Sequence, residues 1–296
     1  MHPNLPPRSE VRPADGIPWD RDRIITLLFD AGERALRLQK DIHPELKSDS
    51  SLVTEADREI EGMLAREFDR PSEGTFLIGE ETVSQKGEDY IGQALQGASF
   101  IVDPIDGTSP YAHGLPNWGV SIGLMEQGRL TQGAVYLPQY RVLVASDGDR
   151  VLEGTRPEGL ERWDWRYLSV PRPETGPSGI IAITQDLAKR GCVDLPNPVE
   201  ALGAAVVPLV GLLQGRFLAY AGSLRLWDLA GSLPLLHRLH FLVARLQASP
   251  GTRLGMDVGP EGYLMDPRDP FRWGVRGGIL VCPPSEEAWI RGGIRI

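Results

Sequence analysis

Two carboxylates stand three residues apart in the run Asp103-Pro104-Ile105-Asp106-Gly107-Thr108, directly after the apolar stretch Ser99-Phe100-Ile101-Val102. A strand that ends this way gathers hard oxygen donors: the Asp103 and Asp106 side chains, the Ile105 carbonyl at the bend and the Thr108 hydroxyl. Mg²⁺ suits such a set, because it takes few carboxylates and keeps waters and phosphate oxygens as its other ligands. The run has no His or Cys, so zinc matches it less well. A cation there would neutralise phosphoryl oxygens and lower the pKa of a bound water. Amides at the Gly107–Thr108 turn would hold the same oxygens from another side. The chemistry implied is hydrolysis of a phosphate monoester by in-line attack of water, a second cation stabilising the leaving alkoxide and no phosphoenzyme forming. Taken singly, either aspartate is an ordinary strand-end carboxylate. An aspartyl nucleophile usually wants Asp-x-Asp, and a glycosidase acid–base pair would be unusual beside Gly107 and Thr108.

Other elements must bring further donors to that strand end. Glu80 closes a predicted strand, Thr75–Ile78, and Asp228 opens a predicted helix, Trp227–Leu246, where an Asp otherwise serves as a cap. Arg21–Gln39 places Ile24, Leu28, Ala31, Ala35 and Leu38 on one helical face. Thr54-Glu55-Ala56-Asp57 has capping-box spacing and opens a second helix, with Ile60, Leu64 and Phe68 inward and a stop near Arg70-Pro71. Asn117–Glu126, Leu130–Leu137 and Arg141–Ala145 predict adjacent antiparallel strands. The Pro- and Gly-containing polar stretch Asp147–Pro177 predicts a domain boundary. Beyond it, Ile180–Ile183, Arg216–Tyr220 and Gly278–Cys282 read as strands and Gln185–Arg190, Val199–Leu213 and Trp227–Leu246 as helices, an alternation that implies an α/β layer. Two domains are expected: an antiparallel-sheet α+β domain over 20–150 and an α/β domain over 151–296.

Composition narrows the function classes. At 296 residues, 41% hydrophobic and 24% charged, the chain can bury a substantial core and is not disordered. A formal net charge of -9, with no Lys/Arg-rich block, argues against a nucleic-acid polymer as partner and leaves an anionic substrate in need of cations. The cysteines, Cys192 and Cys282, form neither a disulfide framework nor a zinc cluster. Met1–Pro18 is polar and proline-rich without an apolar h-region and reads as a loose leader. The most apolar stretch, Ala201–Leu213, is too short and glycine-interrupted to span a bilayer, so a cytoplasmic protein without membrane contact is expected.

Four segments, in order, resemble the inositol monophosphatase superfamily of magnesium-dependent, lithium-sensitive phosphatases. They are Leu52-Val53-Thr54-Glu55-Ala56-Asp57, Gly79-Glu80-Glu81, Asp103-Pro104-Ile105-Asp106-Gly107-Thr108 and Trp227-Asp228-Leu229-Ala230-Gly231. Val120-Ser121-Ile122-Gly123-Leu124 and Gly133-Ala134-Val135-Tyr136 are similar to family segments as well, whereas the last fifty residues match poorly. The resemblance implies an α+β multilayer, an α/β/α/β/α layered sandwich with the metal site between its halves, and a homodimer. It implies that Glu80, Asp103 and the Ile105 carbonyl hold a first Mg²⁺ and that Asp103, Asp106 and Asp228 hold a second. Glu80 would also touch a weakly held third ion, and Mn²⁺ would serve as a substitute. Thr108, held by Asp57, would pair with Glu80 to orient and activate the water, while Gly107 and Thr108 amides hold the phosphate of a small phosphorylated metabolite. Lys47 lies near where the family carries a basic residue at the site mouth, although an exposed lysine needs no such role.

Substrate positions depart from the family. Pro110-Tyr111 stands where members usually have Asn-Phe, and Gly203-Ala204-Ala205 replaces Gly-Ser-Ala, so the substrate contact at Ala205 is altered. Ala221 occupies the place of a glutamate that grips inositol hydroxyls in animal members. An unmade buried hydrogen bond costs roughly 1–3 kcal/mol, so myo-inositol 1-phosphate is expected to be a modest substrate. A fructose-1,6-bisphosphatase-like or nucleotide 3′-phosphatase-like member, or a non-catalytic binding relative, are the alternatives.

Overall fold

Alternation along Ala98–Asp106 sorts its side chains into two cores. Phe100 and Val102 pack with Ile24, Leu28 and Phe29 of helix α1 (Arg21–Leu38) and with Ile60 and Leu64 of α2 (Glu55–Phe68), whereas Ile101 faces the opposite core. In this computed structural model, which describes residues 3–7, 19–42, 44–46, 52–160 and 162–296, that strand lies second in a seven-stranded sheet. The order is Thr75–Gly79, Ala98–Asp106, Gly119–Glu126, Arg129–Leu137, Val142–Asp147, Arg150–Thr155 and Asp164–Tyr167. The first pair is parallel and the rest are antiparallel. A parallel pair needs a crossover, and α3 (Glu88–Gln96) supplies it. The short helix α4 (Thr108–Ala112) follows the second strand.

A five-stranded sheet stands behind the first, in the order Val199–Glu200, Ile181–Ile183, Ala219–Gly222, Ile279–Cys282 and Leu242–Arg245. Outside it lie α5 (Gln185–Arg190) and α9 (Glu287–Gly293), which bury Leu187 and Ile290 against Ile181, Ala219 and Leu280. Between the sheets run α6 (Val206–Leu213), α7 (Leu226–Ala230) and α8 (Leu233–Arg238). Their apolar residues join Ile78, Ile101 and Val135 of the first sheet to Tyr220, Val243 and Val281 of the second. The layers therefore run helix, sheet, helix, sheet, helix, as expected.

Several elements differ from the sequence reading. The segment expected as one helix, Trp227–Leu246, is α7, α8 and then the strand Leu242–Arg245. Gly231-Ser232 breaks it, and Pro234 sits in the first turn of α8, where its missing N–H costs nothing. Val199–Leu213 divides into an edge strand and α6, and the strand expected at Arg216–Tyr220 is Ala219–Gly222. The polar stretch after Asp147 supplies two more strands of the first sheet, and its Val151, Leu152 and Trp163 are buried. A division at residue 150 falls inside the Asp147–Arg150 hairpin. Within the proline-rich leader, Pro3–Pro7 docks on the body: Trp165 Nε1–H donates to the Asn4 carbonyl (2.7 Å) and Arg21 donates to the Pro6 carbonyl (2.8 Å). Among the described residues no helix is long and apolar enough to cross a membrane.

Candidate metal centre

Strict alternation would point residues 103 and 106 to opposite faces of the sheet. The pairing prevents this: Asp103 lies opposite Ser121 and Asp106 opposite Gly119, so three steps on one strand match two on its neighbour. The extra residue forms a bulge at Pro104-Ile105, a place where proline's missing N–H is tolerated. Past the bulge Ile105 joins Val102 in the α1–α2 core, and both carboxylates turn to the other side. Helix α7 approaches from that side. Its C-terminal end lies directly on the sheet because Gly123 and Gly133 leave room; a Cβ at Gly123 would meet the Ala230 carbonyl at 2.5 Å, and one at Gly133 would overlap the Gly231 carbonyl. Asp228 thereby reaches the strand end, and carboxylate oxygens of Asp103, Asp106 and Asp228 lie within 4.8 Å of one another.

These charges are held in a dry place. Asp103 is 1% exposed and Asp106 7%. Burial, then the charges of Glu80, Asp106 and Asp228, push the Asp103 carboxyl well above its usual range. Burial also pushes Asp106 up to about 7, against the amides of Ala205 and Val206. Asp228 is pushed up to about 7 by burial and by Asp106, against the Arg225 amide, whose N–H donates to its Oδ2 (2.7 Å). Asp103 Oδ1 is buried with no hydrogen-bond partner among the described residues. A divalent cation would remove both costs, since it pairs the orphaned oxygen and neutralises the like charges. The oxygen-only donor set fits a hard ion of the Mg²⁺ type.

The remaining expected residues divide by location. Glu80 borders the cavity with the triad, its amide donating to the Val102 carbonyl (3.2 Å). Thr108 Oγ1 lies 3.2 Å from Asp57 Oδ1 and 3.2 Å from the Ile105 carbonyl. Asp57 accepts the Thr54 amide (2.7 Å) and hydroxyl (2.6 Å) on its other oxygen, the capping box expected at the start of α2. Burial pushes the Asp57 carboxyl up to about 6, against the bonds from Thr54. Gly107 holds φ at 93°, left-handed backbone that places it and Thr108 on the cavity wall.

Three expected substrate contacts stand otherwise. Lys47 lies outside the described residues. The Ala205 amide is engaged by Asp106 (3.0 and 2.8 Å), as is that of Val206, so this α6 terminus steadies a carboxylate. Ala221 is fully buried among Ile181, Ile183 and Leu280 and borders no cavity at the site, because its side chain alternates to the outer face of the second sheet.

Residues the sequence reading missed complete the walls. The main cavity, about 770 Å³, is bounded by His113 and Asn117 on one side and by Gln185 and Lys189 of α5 on the other. A smaller one, about 250 Å³, adjoins Asp106 and Asp228 and is lined by Thr184, Asp186, Tyr220 and Ser223. Thr184-Gln185-Asp186 follows the carboxyl end of a parallel strand, where clefts of α/β sheets open. That position was the available signal.

Comparison with known proteins follows the same geometry. The sequence model of the inositol monophosphatase family matches residues 24–239. The inositol-1-monophosphatase of Mesorhizobium japonicum is 27% identical over 231 residues, 73% of this chain and 83% of that protein. The Nus factor SuhB of Xylella fastidiosa is 26% identical over 259 residues, 85% and 86% of the two chains. The crystal structure of the extragenic suppressor protein suhB from Bartonella henselae aligns with a TM-score of 0.65 at 20% identity, covering 91% of this chain and 96% of that one, a likeness of fold.

Proposed function

The chain belongs to the inositol monophosphatase family, a family of magnesium-dependent phosphomonoesterases acting on small phosphorylated metabolites, and we propose that it hydrolyses such an ester at the Asp103–Asp106–Asp228 cluster. One observation carries the reading: three carboxylates from two distant segments converge within 4.8 Å while Asp103 Oδ1 stays buried and unpaired. We assign Asp103, Asp106, Asp228, Glu80 and the Ile105 carbonyl to holding divalent cations. A cation bound there supplies positive charge to phosphoryl oxygens and lowers the pKa of water.

The chain's own groups do the rest of the work. The Thr108 hydroxyl directs its proton to Asp57 and keeps a lone pair for a water in the cavity. Glu80, bordering the same cavity, accepts a proton from that water. Amides of Gly107 and Thr108 orient the phosphate.

A specific observation favours a substrate other than a plain inositol ester. Lys189 is the cationic side chain among the described residues bordering the cavity, suited to a second anionic group on the substrate. The test is a Mg²⁺-dependent screen comparing kcat/KM for myo-inositol 1-phosphate, fructose 1,6-bisphosphate, histidinol phosphate, a nucleoside 3′,5′-bisphosphate and 2′-AMP. Hydrolysis that stops with EDTA, falls with Li⁺ and is mostly lost in Asp103→Asn supports the reading. Turnover indifferent to EDTA or to Asp103→Asn overturns it, and a clear preference for the inositol ester overturns the substrate assignment.

A further inference from the structure

Helix α2 carries two buried carboxylates one turn apart on its inner face, Asp57 and Glu61, both 0% exposed. Asp57 holds Thr108. Glu61 does something else. Its Oε2 accepts the Glu81 amide (2.8 Å), and its carboxylate lies so close over Gly79 that a Cβ there would overlap it. Burial pushes the Glu61 carboxyl above its ordinary range, against hydrogen bonds from Thr82 and from the Glu81 amide. Gly79 ends the first strand and Glu80-Glu81 follow it, tied on the other side to Val102 by the Glu80 amide (3.2 Å).

We propose that Glu61 is a positioning residue for Glu80: by taking the Glu81 amide and filling the space over Gly79 it clamps the turn between α2 and the strand Ala98–Asp106, and so aims Glu80 at the cluster. The inference rests on the reading of Glu80 as a cation ligand. Its physical basis is a comparison of costs. Glu61 Oε1 is buried without a hydrogen-bond partner among the described residues, and an apolar side chain of the same volume would avoid that penalty. What an apolar side chain cannot supply is an acceptor for the Glu81 amide. Because Asp57 and Glu61 share one rigid helix, α2 sets the separation of Thr108 from Glu80, the two residues assigned to the water.

The test measures Mn²⁺ binding to the full chain by titration calorimetry, with activity as a second readout. Glu61→Met keeps the bulk and removes the acceptor; its Mn²⁺ Kd should rise by about 10–100-fold, the usual effect of losing an outer partner of a ligand. Glu61→Gln retains an acceptor oxygen and should stay within a few fold of the wild type. Glu80→Ala and the Glu61→Met/Glu80→Ala double variant should share one Kd, because Glu61 acts through Glu80. Equal Kd for wild type and Glu61→Met, or additive losses in the double variant, overturn the proposal. If Glu61→Met fails to fold, Gly79→Ala, which forces the carboxylate aside, carries the same expectation of weakened binding, and wild-type affinity there is equally fatal. A wild type that binds no Mn²⁺ would instead overturn the metal reading itself.

Discussion

One hydroxyl proton decides what Thr108 can do. It has two acceptors at 3.2 Å, the Asp57 carboxylate and the Ile105 carbonyl, and the charged one is the stronger. Asp57 can offer Oδ1 because Thr54 occupies Oδ2 twice. In Asp57→Asn the remaining oxygen stays with Thr54, and the new NH₂ faces Thr108 as a donor. The hydroxyl then loses its charged acceptor, and its proton turns to the Ile105 carbonyl or to the cavity. We expect kcat to fall about 10²-fold or more, within the range for loss of positioned proton transfer, while the Mg²⁺ concentration for half-maximal rate is unchanged; a shifted Mg²⁺ requirement would place Asp57 among the ligands instead. The capping-box spacing made Asp57 legible as the third helical residue of α2. Its second bond, to a residue 51 positions away, was implied only by the family resemblance and not by spacing.

At the scale of elements, the cluster exists because a strand is bulged and a helix packs closely. No periodicity argument shows that Asp103 and Asp106 share a face, since their spacing in a regular strand says the reverse. What brings them together is the bulge at Pro104-Ile105, set by the register against Ser121 and Gly119. Asp228 depends on α7 lying against Gly123 and Gly133. A methyl at Gly133 would press on the Gly231 carbonyl and lift the helix end. Gly133→Ala should destabilise by about 1–3 kcal/mol, the usual cost of overpacking, and weaken Mn²⁺ binding as well. A lowered Tm with unaltered affinity would show that α7 does not govern the placement of Asp228. The long helix expected over Trp227–Leu246 failed for a related reason. Its apolar residues suit a helix or a buried strand alike, and only pairing of Leu242–Arg245 with Ile279–Cys282 chose between them.

For the whole molecule, the buried carboxylates link stability to pH and to cations. Asp106 and Asp228 ionise near 7 in the folded chain and near the ordinary 3.8 when unfolded, with Asp103 displaced in the same direction. Between those values the folded state binds more protons than the unfolded one, so in EDTA their contribution to stability falls as pH rises from about 4 to about 7. A cation replaces the protons. The Tm gain on adding Mg²⁺ should therefore be larger at pH 8 than at pH 5, where protons compete for the same oxygens. An equal gain at both pH values, or none, would contradict a buried carboxylate cluster as the site of cation binding.

The amino-acid order alone determined which donors exist and what they suit. Oxygen ligands within six residues at a strand end, without His or Cys, follow from residue type and near-neighbour spacing, and those are local properties. Helical periodicity and capping spacing likewise located α1 and α2, because burial of one face is a local pattern, whereas the order of layers came from the family resemblance. Which face each carboxylate takes and which cavity wall a side chain joins were decided only in three dimensions. They depend on a one-residue register shift and on backbone contacts between segments far apart in the chain, and neither leaves a periodic trace in the sequence.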